Sequence, residues 1–231
     1  MLRTSILLLL GLQATSTLHA QDIRFGVKAG LNVSTYRGGE VSNPRFRLGP
    51  AAGAFVRLPL STRLDLQPEL LCEQRGARTS YTSYLLGGTT SARSIYRERS
   101  LLHYVSLPVL VRLSGAKWFA VAGPQLSYLV AARRRGSTSF ESSNGLLDPA
   151  LFFREGTSVR GTDGYYRWEL GCAVGVGYQP TARLGVEVRY ASGFTPVRRP
   201  LGDDTTTPTN RTQGIHNSSL QAQVSYQLST L

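Results

Sequence analysis

The stretch WELGCAVGVGYQPTARLGVEVRY, residues 168–190, places an apolar side chain at every second position, breaks for a short turn, and resumes the same pattern. One parity carries Trp168, Leu170, Cys172, Val174, Val176 and Tyr178, while the other carries Glu169, Gly171, Ala173, Gly175 and Gly177. A period of two is the mark of a β-strand whose two faces meet different surroundings. Helices repeat at 3.6 residues, so this pattern excludes them here and demands a partner strand on either side.

The same alternation recurs along the chain and defines eight segments. They are Ile23–Ser34, Arg47–Leu58, Arg63–Arg75, Leu101–Leu113, Lys117–Ala132, the two arms of 168–190, and Ser219–Leu228. In the third, Leu64, Leu66, Leu70 and Cys72 alternate with Asp65, Gln67, Glu69 and Glu73. In the fifth, Phe119 and Val121 fall on one parity and Leu126, Tyr128 and Val130 on the other. A bulge at Gly123-Pro124 is the expected changeover.

Connections alternate strictly in length. PLST, SGA and QPTA are tight turns, whereas about 35–46, 76–100, 133–164 and 193–217 read as long polar loops. All long loops therefore lie at one end of the sheet and all short turns at the other. Outer-membrane barrels have this asymmetry, with short turns inside and long loops outside. Aromatic residues fall at two matching levels: Tyr128, Tyr166, Trp168 and Tyr190 toward the loops, and Phe25, Trp118, Phe119, Tyr178 and Tyr226 toward the turns. Two aromatic girdles are expected of a membrane-spanning barrel.

The N-terminus fits that destination. Met1-Leu2-Arg3, the apolar block Ile6–Leu12 and the small-residue end at Ala20 form the three parts of a secretory signal peptide. Residues 1–20 are thus expected to direct export, leaving 21–231 as one barrel domain. No other apolar run is long enough for a membrane helix. The formal net charge of +12 in an exported chain points to envelope polyanions such as lipopolysaccharide phosphates, not to nucleic acid.

A soluble barrel with an internal ligand cavity is the rival architecture, because alternation alone does not say which face points inward. The girdles, strands of about ten residues, and the Gly and Ala residues on the polar parity favour the membrane form. A narrow eight-stranded barrel needs small and polar side chains inside. Lys28, Arg57, Asp65, Glu69, Glu73, Arg75, Arg112, Glu169, Glu187 and Arg189 are then expected in the lumen, paired with one another. Eight strands leave no aqueous channel, so a plugged barrel is expected rather than a pore.

Basic clusters in the long connections, Arg93, Arg97, Arg99, the run Arg133-Arg134-Arg135, and Arg198-Arg199, are candidate anion-binding residues, since guanidinium forks match phosphate. Cys72 and Cys172 fall on the apolar parity of the third and sixth strands, which are not neighbours, so two free thiols are expected. His216-Asn217-Ser218 is similar to the His-x-Ser of outer-membrane lipid A deacylases but lacks the surrounding motif and a carboxylate partner. No metal-ligand cluster, P-loop or dinucleotide fingerprint occurs, and no catalytic residue, cofactor or metal is expected.

Ordered motifs carry a family resemblance. GVKAGLNVS (26–34), LDLQPELLCEQRGA (64–77), YVSLPVLVRL (104–113), FAVAGPQLSYLV (119–130), GCAVGVGY (171–178) and LGVEVRYASGF (184–194) resemble the PorT-like outer-membrane β-barrel family typical of Bacteroidota. The resemblance implies an outer-membrane location, and one branch of that family implies an accessory role in protein secretion and gliding. The expected protein is an all-β, eight-stranded, antiparallel, up-and-down transmembrane β-barrel. It is expected to be a monomer in contact with outer-membrane lipid and lipopolysaccharide, and to act as a non-enzymatic structural or surface-binding module. The alternatives are a lipid A-modifying barrel enzyme using His216 and Ser218, or a secretion accessory with an envelope protein partner.

Overall fold

A computed structural model describes residues 23–38, 44–87, 90–142, 155–199 and 214–230. The expected export segment, residues 1–20, lies outside the described residues. Ten antiparallel strands are formed among these residues: β1 (Arg24–Arg37), β2 (Arg47–Pro59), β3 (Leu64–Arg75), β4 (Arg78–Gly87), β5 (Thr90–Ser114), β6 (Trp118–Ser142), β7 (Glu155–Arg160), β8 (Trp168–Tyr178), β9 (Leu184–Gly193) and β10 (His216–Thr230). Eight of them close a ring in the order β5-β3-β2-β1-β10-β9-β8-β6, and the β5–β6 pairing completes it. Closure satisfies the hydrogen-bonding edges that an open sheet would expose.

The side-chain phase separates the two rival architectures. Strand β8 alternates exposed and buried along its length, with Leu170, Val174 and Val176 outside and Glu169, Ala173 and Gly177 inside. The outer surface of the ring also carries Val27, Leu31, Leu70, Leu107, Leu126, Val188, Leu220 and Val224, all largely exposed. Polar Asn32, Gln67, Glu69, Gln125, Gln221 and Arg189 are inside and at most 4% exposed. A soluble barrel has the reverse arrangement, and a continuous apolar belt is incompatible with water as its solvent. The structure is a barrel built for lipid on the outside. Cys72 and Cys172 are free and exposed on this outer surface.

Aromatic side chains pair at both levels. Tyr128 and Trp168 meet at 4.8 Å between ring centroids at the loop end, and Trp118 and Tyr178 at 4.9 Å at the turn end. Phe119 departs from the expected girdle: it is 4% exposed and packs inside with Leu110, Val121, Ala173 and Ala191. The register of β6 against β8 runs without a shift from Trp118 to Tyr128, so no bulge forms at Gly123-Pro124. The irregularity lies instead opposite the His103/Tyr104 step, where Val130 is passed over. The parity of Phe119 and Val121 means only that this part of the lumen is filled by apolar groups.

The second departure concerns the long connections. Two of the four expected loops are largely strands: β5 and β6 each run for 25 residues, pair far beyond the aromatic level, and are flanked by β4 and β7. A four-stranded sheet β4-β5-β6-β7 thus projects from one side of the ring. Its Thr, Tyr, Ile and Val residues favour strands, but without an apolar belt on one face the alternation of polarity stops.

Narrow closure makes small residues necessary at particular places. A Cβ at Gly177 would lie 2.1 Å from the Phe119 ring, and one at Gly26 would lie 2.2 Å from the Phe55 ring. Gly177→Ala is therefore expected to displace Phe119 and destabilise the barrel by about 1–3 kcal/mol. Urea unfolding of the detergent-folded protein measures this, and an unchanged midpoint would show that the ring moves aside freely.

Candidate functional site

Ten ionisable side chains on the inward parity of the ring meet inside it. The set comprises five cations, Lys28, Arg57, Arg75, Arg112 and Arg189, and five anions, Asp65, Glu69, Glu73, Glu169 and Glu187; all are buried except the partly buried Asp65. Burial of an unpaired ion costs several kcal/mol, so such a set is tolerable only if charges match locally.

Seven of them pair in two groups, Arg57 joins the first through Gln67, and Arg112 lies apart, 3.9 Å from Asp65. Nearer the turns, Lys28 Nζ contacts Glu69 at 2.7 Å and Glu187 at 3.5 Å, while Arg189 contacts Glu69 at 2.9 Å and Glu187 at 2.6 Å. Gln67 also donates to Glu69 at 2.6 Å and accepts from Arg57 Nε at 2.9 Å. Nearer the loops, Arg75 bridges Glu73 at 2.8 Å and Glu169 at 2.6 Å. Gln221 and Gln125 donate to Glu73 at 2.7 and 3.2 Å, and Asn217 donates to Glu169 and, at 3.1 Å, to the Tyr104 hydroxyl. Arg75–Glu73, Arg189–Glu187 and Gln67–Glu69 lie within one strand, whereas Lys28 with Glu69 and Glu187, Arg189 with Glu69, and Arg75 with Glu169 join strands far apart in sequence and tie one wall of the barrel to another.

Apolar packing closes the lumen on the loop side. Tyr36, Ala77, Leu102, Tyr104, Leu129, Ala132, Tyr165 and Val197 form one buried cluster above the second charge group. Among the described residues the interior is occupied by ion pairs, hydrogen-bonded amides and this apolar cluster.

Outside the aromatic level, the projecting sheet carries a different arrangement. Backbone pairing sets Arg45 beside Arg78, Arg78 beside Arg99, and Arg99 beside Arg135. Directly opposed residues of antiparallel strands share a face, so these four arginines form a row across the sheet. Arg97 lies two residues from Arg99 on the same parity and opposes Ser80 and Ser137. Arg133 similarly lies two residues from Arg135 and opposes Arg160. Among the described residues none of these seven arginines forms an ion pair. A groove of about 590 Å³ runs beside Arg97, Arg99 and Arg135 and is completed by Ser137, Thr157 and Ser158. Cations arranged with hydroxyls in this way can receive an anion with several oxygens.

The expected basic residues thus divide. Arg97, Arg99, Arg133 and Arg135 share the outer row, but from strands and not from loops. Arg93 lies further out on β5, opposite Tyr84. Arg134 points to the other side, opposite the buried Ser100. Arg198 is taken up by Glu98 and by Ser100 at 3.2 Å. Burial disfavours its charge, but the Glu98 carboxylate outweighs this and holds the guanidinium more firmly protonated than an ordinary arginine. Arg199 lies over the Tyr166 ring at 5.5 Å. Arg45, Arg78 and Arg160 are members of the row that isolated positions in the sequence do not announce, because only strand register brings them in.

His216 and Ser218 both lie at the start of β10. Ser218 donates its hydroxyl to Tyr190 at 3.0 Å, and among the described residues no hydrogen bond joins it to His216. No group of three or more potential metal ligands occurs among the described residues.

A family model described as "Outer membrane protein beta-barrel domain" matches residues 19–199. No curated protein matches the sequence. Among solved structures, the chain is similar to Neisserial surface protein A, at 12% identity over 88% of this chain and 97% of that one, with a TM-score of 0.42. It is also similar to Ail, the attachment invasion locus protein of Yersinia pestis, at 8% identity over 90% and 100%, TM-score 0.39. CarO of Acinetobacter baumannii is matched at 10% identity over 85% and 96%, TM-score 0.36.

Two outcomes test the lumen. Arg189→Met leaves Glu69 and Glu187 without their shared guanidinium and is expected to cost about 3–5 kcal/mol of stability. The double variant Glu187→Gln, Arg189→Met, which leaves Lys28 paired with Glu69, is expected to recover part of that loss; equal loss in both would mean that packing, not charge, is what Arg189 provides. In planar bilayers the wild-type protein is expected to give no steady conductance, which a stable ion-selective current would overturn.

Proposed function

This chain belongs to the outer membrane protein β-barrel domain family, and from that premise we propose that it is a PorT-like, non-enzymatic surface module of the outer membrane. In this reading residues 1–20 are removed on export, the short turns face the periplasm, and the projecting sheet β4-β5-β6-β7 stands outside. Its arginine row engages the phosphate groups of lipopolysaccharide.

The observation that carries the proposal is the in-register row Arg45-Arg78-Arg99-Arg135, which has no carboxylate partner among the described residues. Like charges directly opposed on a sheet are destabilising, and an anionic ligand offsets that repulsion. The row begins just beyond the aromatic level, since Arg133 lies five residues after Tyr128 on the same strand. That is where a membrane-anchored lipid presents its phosphates. Guanidinium groups suit the task because each offers two parallel donors to a phosphate. The rigid, plugged barrel below holds the sheet in place and takes no chemical part. An enzymatic reading lacks support because the Ser218 hydroxyl is directed to Tyr190 and not to a base.

The test compares the wild type with the triple variant Arg97→Gln, Arg99→Gln, Arg135→Gln, each folded in detergent. Lipopolysaccharide binding is expected to weaken by at least about tenfold in the variant, and wild-type binding to fall with added salt. Dephosphorylated lipopolysaccharide should bind the wild type as poorly as the intact lipid binds the variant. Equal affinity for the two lipid forms would overturn the reading.

A further inference from the structure

At the turn end of the barrel, opposite the arginine row, a cavity of about 330 Å³ opens at the mouth of the lumen. Four cations line it, Arg24 from β1, Arg57 from β2, Arg112 from β5 and Lys117 from the turn between β5 and β6, against one acid, Asp65. The balance that holds within the ten lumen charges as a whole is thus broken locally at this opening.

Arg112 forms part of the wall. It is 2% exposed, and its guanidinium stacks on Phe119 with Cζ 3.4 Å from the ring centroid. Nε donates to Ser114 at 3.2 Å and Nη2 to Gln179 at 2.7 Å; the nearest carboxylate, Asp65, is 3.9 Å from Nε. Nη1 is buried with no hydrogen-bond partner. A buried guanidinium donor left unmatched carries a full desolvation penalty, and here it belongs to a residue lining a cavity with surplus positive charge.

We propose that this mouth is a binding site for a phosphate group. A tetrahedral oxyanion accepts hydrogen bonds from several directions, which suits cations contributed by three different strands and a turn. The negative charge of a phosphate, one for a phosphodiester headgroup and up to two for the free anion, also offsets part of the surplus of cations over Asp65. The phosphate has two sources, a free anion or the headgroup of a phospholipid. A neighbouring outward-facing apolar groove of about 410 Å³, lined by Leu113, Trp118, Ala120 and Val176, shares the Ser114-Gly115 edge with the mouth and gives an acyl chain a place to lie. The site is separate from the outer arginine row, and neither reading depends on the other.

The experiment uses the full barrel in dodecyl maltoside and phosphate-free buffer, in the Arg97→Gln, Arg99→Gln, Arg135→Gln background so that the outer row contributes no signal. Isothermal titration is run with inorganic phosphate and with dihexanoyl-phosphatidylglycerol. Saturable binding at one site is expected, weakened about tenfold by Arg112→Gln and severalfold by Lys117→Gln. Tighter binding of the lipid identifies a headgroup, and tighter binding of inorganic phosphate a free anion. Lys117 is an exposed turn residue, so its variant decides the matter even if Arg112→Gln does not fold. The proposal is overturned if neither probe saturates, or if both variants leave the affinity within about twofold.

Discussion

Everything else in this molecule rests on the pairing of charges inside a ring too narrow for bulk water. Eight strands enclose a space that side chains alone must fill, and the lipid-facing surface requires that every polar group the chain possesses within the membrane point inward. Lys28, Arg75 and Arg189 each bridge two carboxylates. A barrel assembled with one strand out of register would strand these ions, so the network penalises wrong pairings as strongly as it supports the right one. Buried ion pairs are weak contributors to stability against an apolar replacement. Their value here is in specifying which of many similar strands pair.

How much of this was legible in the sequence follows from what imposes a pattern. Lipid imposes an apolar residue at every second position, so the ring strands and their inward charges could be read directly from parity, as with Glu169 against Leu170. Inside the lumen no such rule holds. Phe119 and Val121 are apolar yet inward, because Gly177 leaves space that only a ring fills, and their parity looked like a bulge. Beyond the membrane both faces meet water, the signal ends, and strands β4 and β7 with the outer halves of β5 and β6 read as loops. The basic clusters were visible as clusters, but their sorting was not: adjacent Arg133, Arg134 and Arg135 divide between two faces, while Arg45 and Arg78 join them from distant segments through register.

The two ends of the barrel are built for opposite purposes within one charge pattern. In the middle, cations and anions pair, and two apolar clusters pack inside the ring. Toward each end cations are left in excess, on the outward face of the sheet at one end and around the mouth at the other. This division agrees with the position of the neutral Gln and Ser residues, Gln125, Ser106 and Ser127 among them, which fill the lumen with hydrogen bonds that need no ligand.

The uninterrupted length of β5 and β6 sets a height as well as a surface. From Tyr128 to the end of β6 at Ser142 the strand continues through fourteen residues, a reach on the order of 30–40 Å above the membrane once strand tilt is allowed for. Because the same ladder runs from the lipid to the tip, the upper sheet stands as a mast whose base is fixed in the bilayer. With the short turns on the periplasmic side, as proposed, groups at its foot lie at the headgroup level and groups near its tip stand clear of it. A large macromolecule approaching from outside therefore meets the outer parts of β5 and β6 before the described residues of the ring.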